Sequence, residues 1–375
     1  MLRAITGSSV RPEWGSTLTG ADRLALTPAI SVDQLGTLCD QLIEAYGSTA
    51  YRKRFAWIDN LAVVRDPDLR ASLDDELVTR LRDPDLSKVQ LAAPDPVDWE
   101  LATGYRYSVE SRNGELHQEL DLKDYLRAVT NRRGEPPTID RVRSDRVQVV
   151  GAAAERPLQQ WSVYRTMVFD LEKAGMTYAL TDGNWYEIKQ FFAESITAQV
   201  AEIDESDLIF PDAHLAERED AYVLRAAPEM TVSNGIAVEA MDKKLAFAQG
   251  AATGVEVCDL LSELGHFVHV KKGNESATLS HLFAQGAVSA ELFLSDPQFR
   301  ASARVHVNGT PCDTDDLFPL TVQRDHVTVI YAVVNPRAGS LAETLPFFSR
   351  VNLANAAKRL RSLGCRVQQK HISQV

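Results

Sequence analysis

Two short segments rich in β-branched residues follow each other closely in the last third of this 375-residue chain. They read GVEVCDLL (254–261) and HFVHVKKG (266–273), and only four residues separate them. Strands joined by so short a connection pair antiparallel, because a parallel pair needs a crossover of a dozen or more residues. The sequence therefore predicts a β-hairpin here, and this hairpin restricts how the residues after it can fold.

The residues after the hairpin alternate between helical and strand patterns. Their spacing predicts a helix over 276–294, a strand over 326–334, a helix over 349–364 and a final strand over 365–372. A hairpin followed by helix, strand, helix and strand is typical of a mixed sheet with helices against its faces. The expected fold class is therefore α/β (α+β), with this mixed sheet in the C-terminal half.

The first half of the chain has the pattern of a separate α+β domain. It predicts helices over 31–46, 66–82 and 191–203, a hairpin over 104–122 about Arg112-Asn113-Gly114, and strands over 147–153, 162–172 and 176–188, the last with an Asp182-Gly183 turn. Its tryptophans and tyrosines are expected to be core residues rather than ligands. We expect this domain to cover residues 1–203.

Charge is distributed unevenly along the chain. Residues 201–220 carry eight acids against one arginine, a net charge of −7, which predicts an acidic linker over 204–228 and a C-terminal domain over 229–375. Residues 331–375 carry seven bases against one acid, a net charge of +6. A basic tail permits contact with a polyanion, although a solvated helix face gives the same pattern.

Bulk properties exclude several classes of protein. The net charge of −12 argues against a surface coated for indiscriminate nucleic-acid binding. No apolar run approaches the ~20 residues that span a bilayer. The four cysteines are far apart and form no CxxC pair, which indicates reduced thiols rather than a zinc site or disulfides. We therefore expect a cytoplasmic protein with no membrane association.

The hairpin could carry the chemistry of the chain. Alternate side chains of a strand share a face, so pairing of the two strands can bring Asp259 beside His269 and Lys271. A carboxylate that holds Mg²⁺ or Mn²⁺, a second metal ligand and a lysine with a fixed positive charge suit phosphodiester hydrolysis. We predict these three residues as catalytic.

This order of residues resembles the core of the restriction-endonuclease-like (PD-(D/E)xK) superfamily over residues 239–334. That superfamily has an Asp on one strand and Glu-x-Lys, or a variant, on the next strand, followed by a helix. The resemblance implies metal binding by Asp259 and His269. Because His269 stands where Glu or Gln is expected, either the metal is softer than Mg²⁺ or the site has decayed.

Three other acids are candidates for a displaced carboxylate ligand. Glu256 is included in the predicted ligand set, although it alternates onto the face opposite Asp259. Glu239 and Asp242 are further candidates.

Several motifs resemble a sporadically distributed bacterial family of unknown function that often occurs near defence genes. They are VEVCDLL (255–261), HFVHVKKG (266–273), TLSHLFAQGAVSAEL (278–292), LPFFSRVNLANAAKRL (345–360) and the DGNWY segment (182–186). Together they cover nearly the whole chain. This family has no assigned function and contributes the defence context. Together with the restriction-endonuclease-like resemblance, it implies a metal-dependent nuclease, or a nuclease-derived component, of an antiviral defence system. The alternative is a non-catalytic protein of the same fold that binds nucleic acid or a partner.

Both functions involve nucleic acid as a partner, and a defence-system protein or further copies of the chain are additional candidates. The residues predicted to contact nucleic acid are Lys272, Arg350, Lys358 and Arg361.

The site residues also have structural interpretations. His269 and Lys271 fit the exposed face of an edge strand, where a lysine prevents addition of another strand. Asp259 fits a strand end that accepts a hydrogen bond from a turn amide. His281 is typical of a packing histidine, and Gln285-Gly286 of a helix that closely approaches a sheet.

Overall fold

The computed structural model describes most of the chain. The described residues are 5–8, 11–15, 17–20, 24–28, 30–55, 59–95, 97, 101–111, 116–151, 156–215, 217–251, 253–272, 276–319, 322–336 and 338–375. By its internal contacts the chain divides into two compact units, Met1–Leu61 and Ala62–Val375.

The first unit combines a small antiparallel sheet with helices. Its elements are β1 (Ile5–Ser8), β2 (Thr17–Gly20), β3 (Leu24–Leu26), α1 (Leu35–Gly47) and α2 (Arg52–Phe55). The strands are ordered β1-β2-β3. Ser31 and Gln34 form a capping box on a short 3₁₀ turn that leads into α1, so the helix predicted at this place is confirmed with a later start.

The second unit begins with two antiparallel sheets and their helices. These elements are β4 (Leu61–Val63), α3 (Pro67–Leu81), β5 (Val89–Leu91), β6 (Ala102–Tyr107), α4 (Leu122–Arg133), α5 (Ile139–Ser144), β7 (Arg146–Gly151), β8 (Gln159–Ser162), α6 (Val163–Thr166), β9 (Met167–Lys173), β10 (Met176–Thr181), β11 (Asn184–Ile188) and α7 (Gln190–Ala201). The larger sheet has the order β4-β11-β10-β9-β5, and the smaller has the order β6-β7-β8.

The Asp182-Gly183 turn between β10 and β11 is confirmed. Thr181 pairs with Asn184 across it, and the two central residues have φ of 49° and 72°. Positive φ at both positions is what a two-residue hairpin requires, and Asp-Gly adopts it readily.

The pairing predicted for the hairpin over 104–122 is wrong. β6 pairs with β7, and among the described residues the second half of the predicted hairpin pairs with β6 at one bridge, between Tyr105 and His117. The predicted turn at Arg112-Asn113-Gly114 lies outside the described residues. Val147 and Val149 of β7 are buried, so the partner from farther along the chain contributes apolar surface to the core.

A buried carboxylate connects α3 to these sheets. Asp74 is 3% exposed and accepts hydrogen bonds from Tyr164 Oη at 2.7 Å and Trp185 Nε1 at 3.0 Å. Its other oxygen pairs with the Arg143 guanidinium. Trp185 is therefore a core residue with a satisfied ring N–H, as the sequence predicts for the aromatic residues of this half.

The remaining elements build a six-stranded mixed sheet and its helices. They are β12 (Asp204–Glu205), α8 (Glu219–Asn234), β13 (Val238–Ala240), β14 (Leu245–Ala246), β15 (Val255–Glu256), β16 (Leu260–Ser262), β17 (His266–Lys272), α9 (Ser276–Ser295), α10 (Pro297–Val305), β18 (Thr328–Asn335), α11 (Leu341–Thr344), α12 (Phe347–Leu363) and β19 (Arg366–Ser373). The sheet has the order β12-β19-β18-β17-β16-β13, and β14 pairs with β15. The coarse prediction of an α+β protein with a mixed sheet is confirmed.

The two faces of this sheet pack in different cores. Phe267 and Tyr331 lie in the core that includes α9 and α12, whereas Val268 and Ile330 lie in the core that includes α8. All eight residues of β18 are buried, which accounts for its unbroken apolar run. β17, β18 and β19 run parallel because α9 and α12 form the crossovers, and β16 runs antiparallel to β17.

The segment 204–228, predicted as an acidic linker, contains secondary structure. β12 pairs with β19 at the edge of the sheet, and α8 begins at Glu219. Glu217 accepts hydrogen bonds from the Arg225 guanidinium at 2.7 and 2.8 Å, which lower the pKa of this carboxyl to about 2. The acids that suggested a linker thus partly serve internal ion pairs. The division of the chain into compact units falls at residues 61–62, and the predicted limits of 1–203 and 229–375 stay a prediction.

We expect Asp74→Ala to lower the free energy of unfolding by about 2–5 kcal/mol, because it leaves two buried donors, Tyr164 Oη and Trp185 Nε1, without their acceptor at about 1–3 kcal/mol each. Urea unfolding measures this change. Asp75→Ala on the exposed side of the same helix is the matched control and should stay within about 0.5 kcal/mol of wild type. Equal effects of the two substitutions would contradict the structural role of Asp74.

Candidate metal centre

Three carboxylates converge at the start of β16. Oxygens of Asp242, Glu256 and Asp259 all lie within 4.8 Å of one another. Asp259 is buried, and the other two are half-buried. Within the described part of the chain, this is the one group of three or more His, Cys, Asp or Glu side chains close enough to hold a metal ion.

Asp259 is fixed in the plane of the mixed sheet. Its amide donates to Val268 O at 2.9 Å, its carbonyl accepts from Met241 N at 2.7 Å, and Oδ2 accepts from Val270 N at 2.6 Å. The carboxylate thus takes the place of a main-chain acceptor for β17. Burial raises the pKa of Asp259 well above its usual value, and the charges of Glu256 and Glu219 raise it further.

Glu256 is oriented by hydrogen bonds to both of its oxygens. Oε1 accepts from the Lys243 amide at 2.5 Å, and Oε2 accepts from Gln285 Nε2 on α9 at 2.5 Å. Lys243 has φ of 59°, a strained conformation for a residue other than glycine. The turn after β13 that carries Asp242 therefore also presents an amide to Glu256.

Glu256 reaches Asp259 because the predicted strand over 254–261 is interrupted. β15 ends at Glu256 and β16 begins at Leu260, and the residues between them are not in strand conformation. Val257 and Cys258 are both fully buried in this irregular stretch. The alternation that placed Glu256 on the face opposite Asp259 does not hold across such a break.

His269 is a core residue and lies outside the carboxylate group. It is fully buried, and neither Nδ1 nor Nε2 has a hydrogen-bond partner. Its ring lies 6.1 Å from the Tyr331 ring, and a Cβ at Gly286 would approach His269 Cδ2 to 3.0 Å. Gly286 thus allows α9 to approach the sheet, as predicted. The alternative of an exposed edge strand is wrong for His269, because β17 has a partner on each side.

Lys271 and Lys272 are held by the start of α8. Lys271 Nζ is 2.8 Å from Glu219 Oε1, and the Lys272 amide donates to Glu219 Oε2 at 2.9 Å. Lys272 Nζ donates to the carbonyls of Leu215 and Glu217. Both ammonium groups are therefore engaged within the protein. Lys271 nevertheless directly follows Val270, whose amide binds the Asp259 carboxylate.

The basic residues predicted on α12 differ in their exposure. The prediction that Arg350 contacts nucleic acid is corrected, because its side chain is only 16% exposed and Nη1 donates to Thr197 Oγ1 at 2.6 Å. α12 packs against both α9 and α7, so these two neighbours together bury more of its surface than one neighbour would. Lys358 and Arg361 are exposed, and Arg361 Nη2 donates to the Glu202 carbonyl at 2.9 Å.

The carboxylate group fits a hard divalent cation. Mg²⁺ and Ca²⁺ bind oxygen ligands at about 2.0–2.6 Å, so ligands on opposite sides of one ion lie about 4–5 Å apart. Asp242, Glu256 and Asp259 meet that spacing with oxygen donors alone. Such a set suits Mg²⁺ better than the softer metal that a His269 ligand would favour. Of the residues that sequence reasoning left without a functional role, Glu219 and Gln285 contact this region.

Among the described residues, no helix is both long and apolar enough to cross a membrane.

Burial lowers the pKa of His269 from 6.5 to about 4. The imidazole of His269 is therefore harder to protonate in the folded protein than in the unfolded chain. Its contribution to the free energy of unfolding is present above pH 6.5 and is lost as the pH drops toward 4. The loss should reach about 3 kcal/mol. Urea unfolding of wild type and His269→Leu at pH 5 and pH 7 measures it. We expect the free energy of unfolding to differ less between the two pH values in His269→Leu than in wild type. The control His326→Gln, at an exposed position, should show the wild-type difference. Parallel behaviour of all three proteins would refute this assignment.

Comparisons with known proteins place the chain in a family. The model of a family described as "Family of unknown function (DUF6119)" matches residues 1–373. No curated protein and no solved structure matches the chain. The match to residues 1–373 confirms the resemblance to a family of unknown function, and the chain belongs to that family, DUF6119.

Proposed function

We propose that the chain is a metal-dependent nuclease, or a nuclease-derived component, of a bacterial antiviral defence system. The observation that carries the proposal is the convergence of Asp242, Glu256 and Asp259 beside strand β17, which bears Lys271. This site differs from the sequence prediction in one ligand. Asp242 takes the place proposed for His269, while Asp259 and Glu256 remain.

The surroundings of the three carboxylates support cation binding. Asp259 is buried, and the side chains that raise its pKa after burial include Glu256, Glu219 and Asp242. Neighbouring negative charges in a buried site are unfavourable unless a proton or a cation neutralises them. A bound Mg²⁺ or Mn²⁺ would do this and would supply Lewis-acid activation of water and phosphate.

The protein side chains would have distinct tasks. Asp242, Glu256 and Asp259 would hold the cation, and Gln285 with the Lys243 amide would orient Glu256. Lys271 would provide positive charge for the phosphate once its ammonium exchanges Glu219 for the substrate. Strands β16, β17 and β18 belong to one mixed sheet, and α9 lies between β17 and β18 in the chain. This order is compatible with the proposed restriction-endonuclease-like core.

A non-catalytic binding protein is the second candidate. The observation in its favour is that both ammonium groups already have partners within the protein. Lys271 pairs with Glu219, and Lys272 donates to main-chain carbonyls. A protein of this kind would bind nucleic acid through exposed cations such as Lys358 and would cleave nothing.

Metal binding should require all three carboxylates and should tighten as the pH rises. The raised pKa of Asp259 means that protons compete with the cation, so binding releases protons. Calorimetry with Mg²⁺ and Mn²⁺ at two pH values measures this on wild type, Asp242→Asn, Glu256→Gln and Asp259→Asn. The last substitution keeps an acceptor for the Val270 amide. Asp325→Asn, an exposed acid outside the group, is the matched control. Unchanged binding in the three variants would place the metal elsewhere.

Cleavage of plasmid, single-stranded DNA or RNA should depend on Mg²⁺ or Mn²⁺. We expect Lys271→Met to lower the rate by about 10²–10³, because it removes the positive charge available to the phosphate, and Asp259→Asn to abolish cleavage. Lys123→Met, at an exposed position of α4, should retain the catalytic rate.

The wild-type results distinguish the two functions. Metal binding without cleavage, together with salt-dependent nucleic-acid binding that Lys358→Glu weakens, would favour the binding protein. A wild-type protein that binds no metal and cleaves nothing would remove the nuclease proposal.

A further inference from the structure

A polar pocket shares no residue with the carboxylate group. The pocket has a volume of about 380 Å³ and opens between the five-stranded sheet and the residues that lead into α12. Its charged and polar lining includes Arg80, Gln90, Asp170, Glu172 and Arg350. This volume is in the range of small-molecule sites, and it is too small for a folded partner.

Arg350 is incompletely neutralised in this pocket. Nη1 donates to Thr197 Oγ1 at 2.6 Å, whereas Nη2 lies 3.8 Å from Asp170 Oδ2 and the buried Nε has no partner. Burial lowers the pKa of the guanidinium, the charges of Asp170 and Glu172 raise it, and an arginine still keeps its charge. A buried cation with a distant counter-ion favours an additional anion.

Two of the nearby carboxylates already serve other groups. Asp170 Oδ2 accepts from the Phe347 amide at 2.6 Å. Glu343 Oε2 accepts from the amide and hydroxyl of Ser340, both at 3.0 Å. Gln90 also lines the pocket, and its Oε1 is buried without a hydrogen-bond partner.

We propose that this pocket binds a small anion with a carboxylate or phosphate group, and that Arg350 recognises that group. The planar fork of a guanidinium matches either anion with paired N–H donors. Arg80 and Lys88 add positive charge to the lining, which also holds the carboxylates of Asp170, Glu172 and Glu343. The ligand class is therefore a small carboxylate or a phosphate monoester.

The test uses the full chain and two probes, inorganic phosphate and acetate, with chloride adjusting the ionic strength. Calorimetry and thermal unfolding should show saturable binding of at least one probe. Binding of phosphate alone or of acetate alone identifies the anionic group of the ligand. Arg350→Lys keeps the charge but loses the fork, and should weaken binding about tenfold or more.

Gln90→Glu tests the same pocket without changing the arginine. Its added negative charge should also weaken anion binding, so the proposal stays testable if Arg350→Lys does not fold. Arg366→Lys, on an exposed arginine of β19, is the control and should bind as wild type does. Absence of saturable binding to either probe overturns the proposal. So does wild-type affinity in both folded pocket variants.

Discussion

The C-terminal architecture depends on the complete burial of β18. A strand without a solvent-facing residue needs a partner on each side and a covering layer on each face. β17 and β19 supply the partners by parallel pairing, and parallel pairing in turn requires the crossovers through α9 and α12. The remaining face is covered by α8, whose first residue, Glu219, binds the end of β17. The segment that looks like an acidic linker in the sequence is thus needed to close the sheet.

The sequence predicts this part of the fold well because its signals are local. The apolar run of β18, the helical spacing of α9 and α12 and the short connection before β17 each specify an element within a few residues. β6 shows the opposite case. Its partner, β7, starts about forty residues after β6 begins, and no local pattern distinguishes that pairing from the hairpin with the segment around His117.

The candidate site shows the same division between local and distant information. Asp259 and Glu256 are recognisable from the sequence as potential ligands, but their relative placement depends on the irregular residues Val257 and Cys258. Periodicity assumes a continuous strand and fails at that break. Asp242 joins the group through a turn whose conformation depends on Lys243 at positive φ, which residue spacing does not reveal. His269 could ligate a metal by its chemistry, but it is buried in the core. The alternation of side chains along a strand does not indicate which face of the strand is buried.

The charges around the end of β17 link the two proposed tasks of this site, which are cation binding by the carboxylates and phosphate binding by Lys271. Glu219 raises the pKa of Asp259 and also neutralises Lys271, so it acts on the carboxylate group and on the nearby cation. A phosphate at this site would compete with Glu219 for the ammonium, while a cation at the carboxylates would reduce their repulsion of Glu219. The two effects oppose each other at one side chain. The start of α8 is therefore the element whose position decides whether Lys271 is available to a substrate or remains part of the fold.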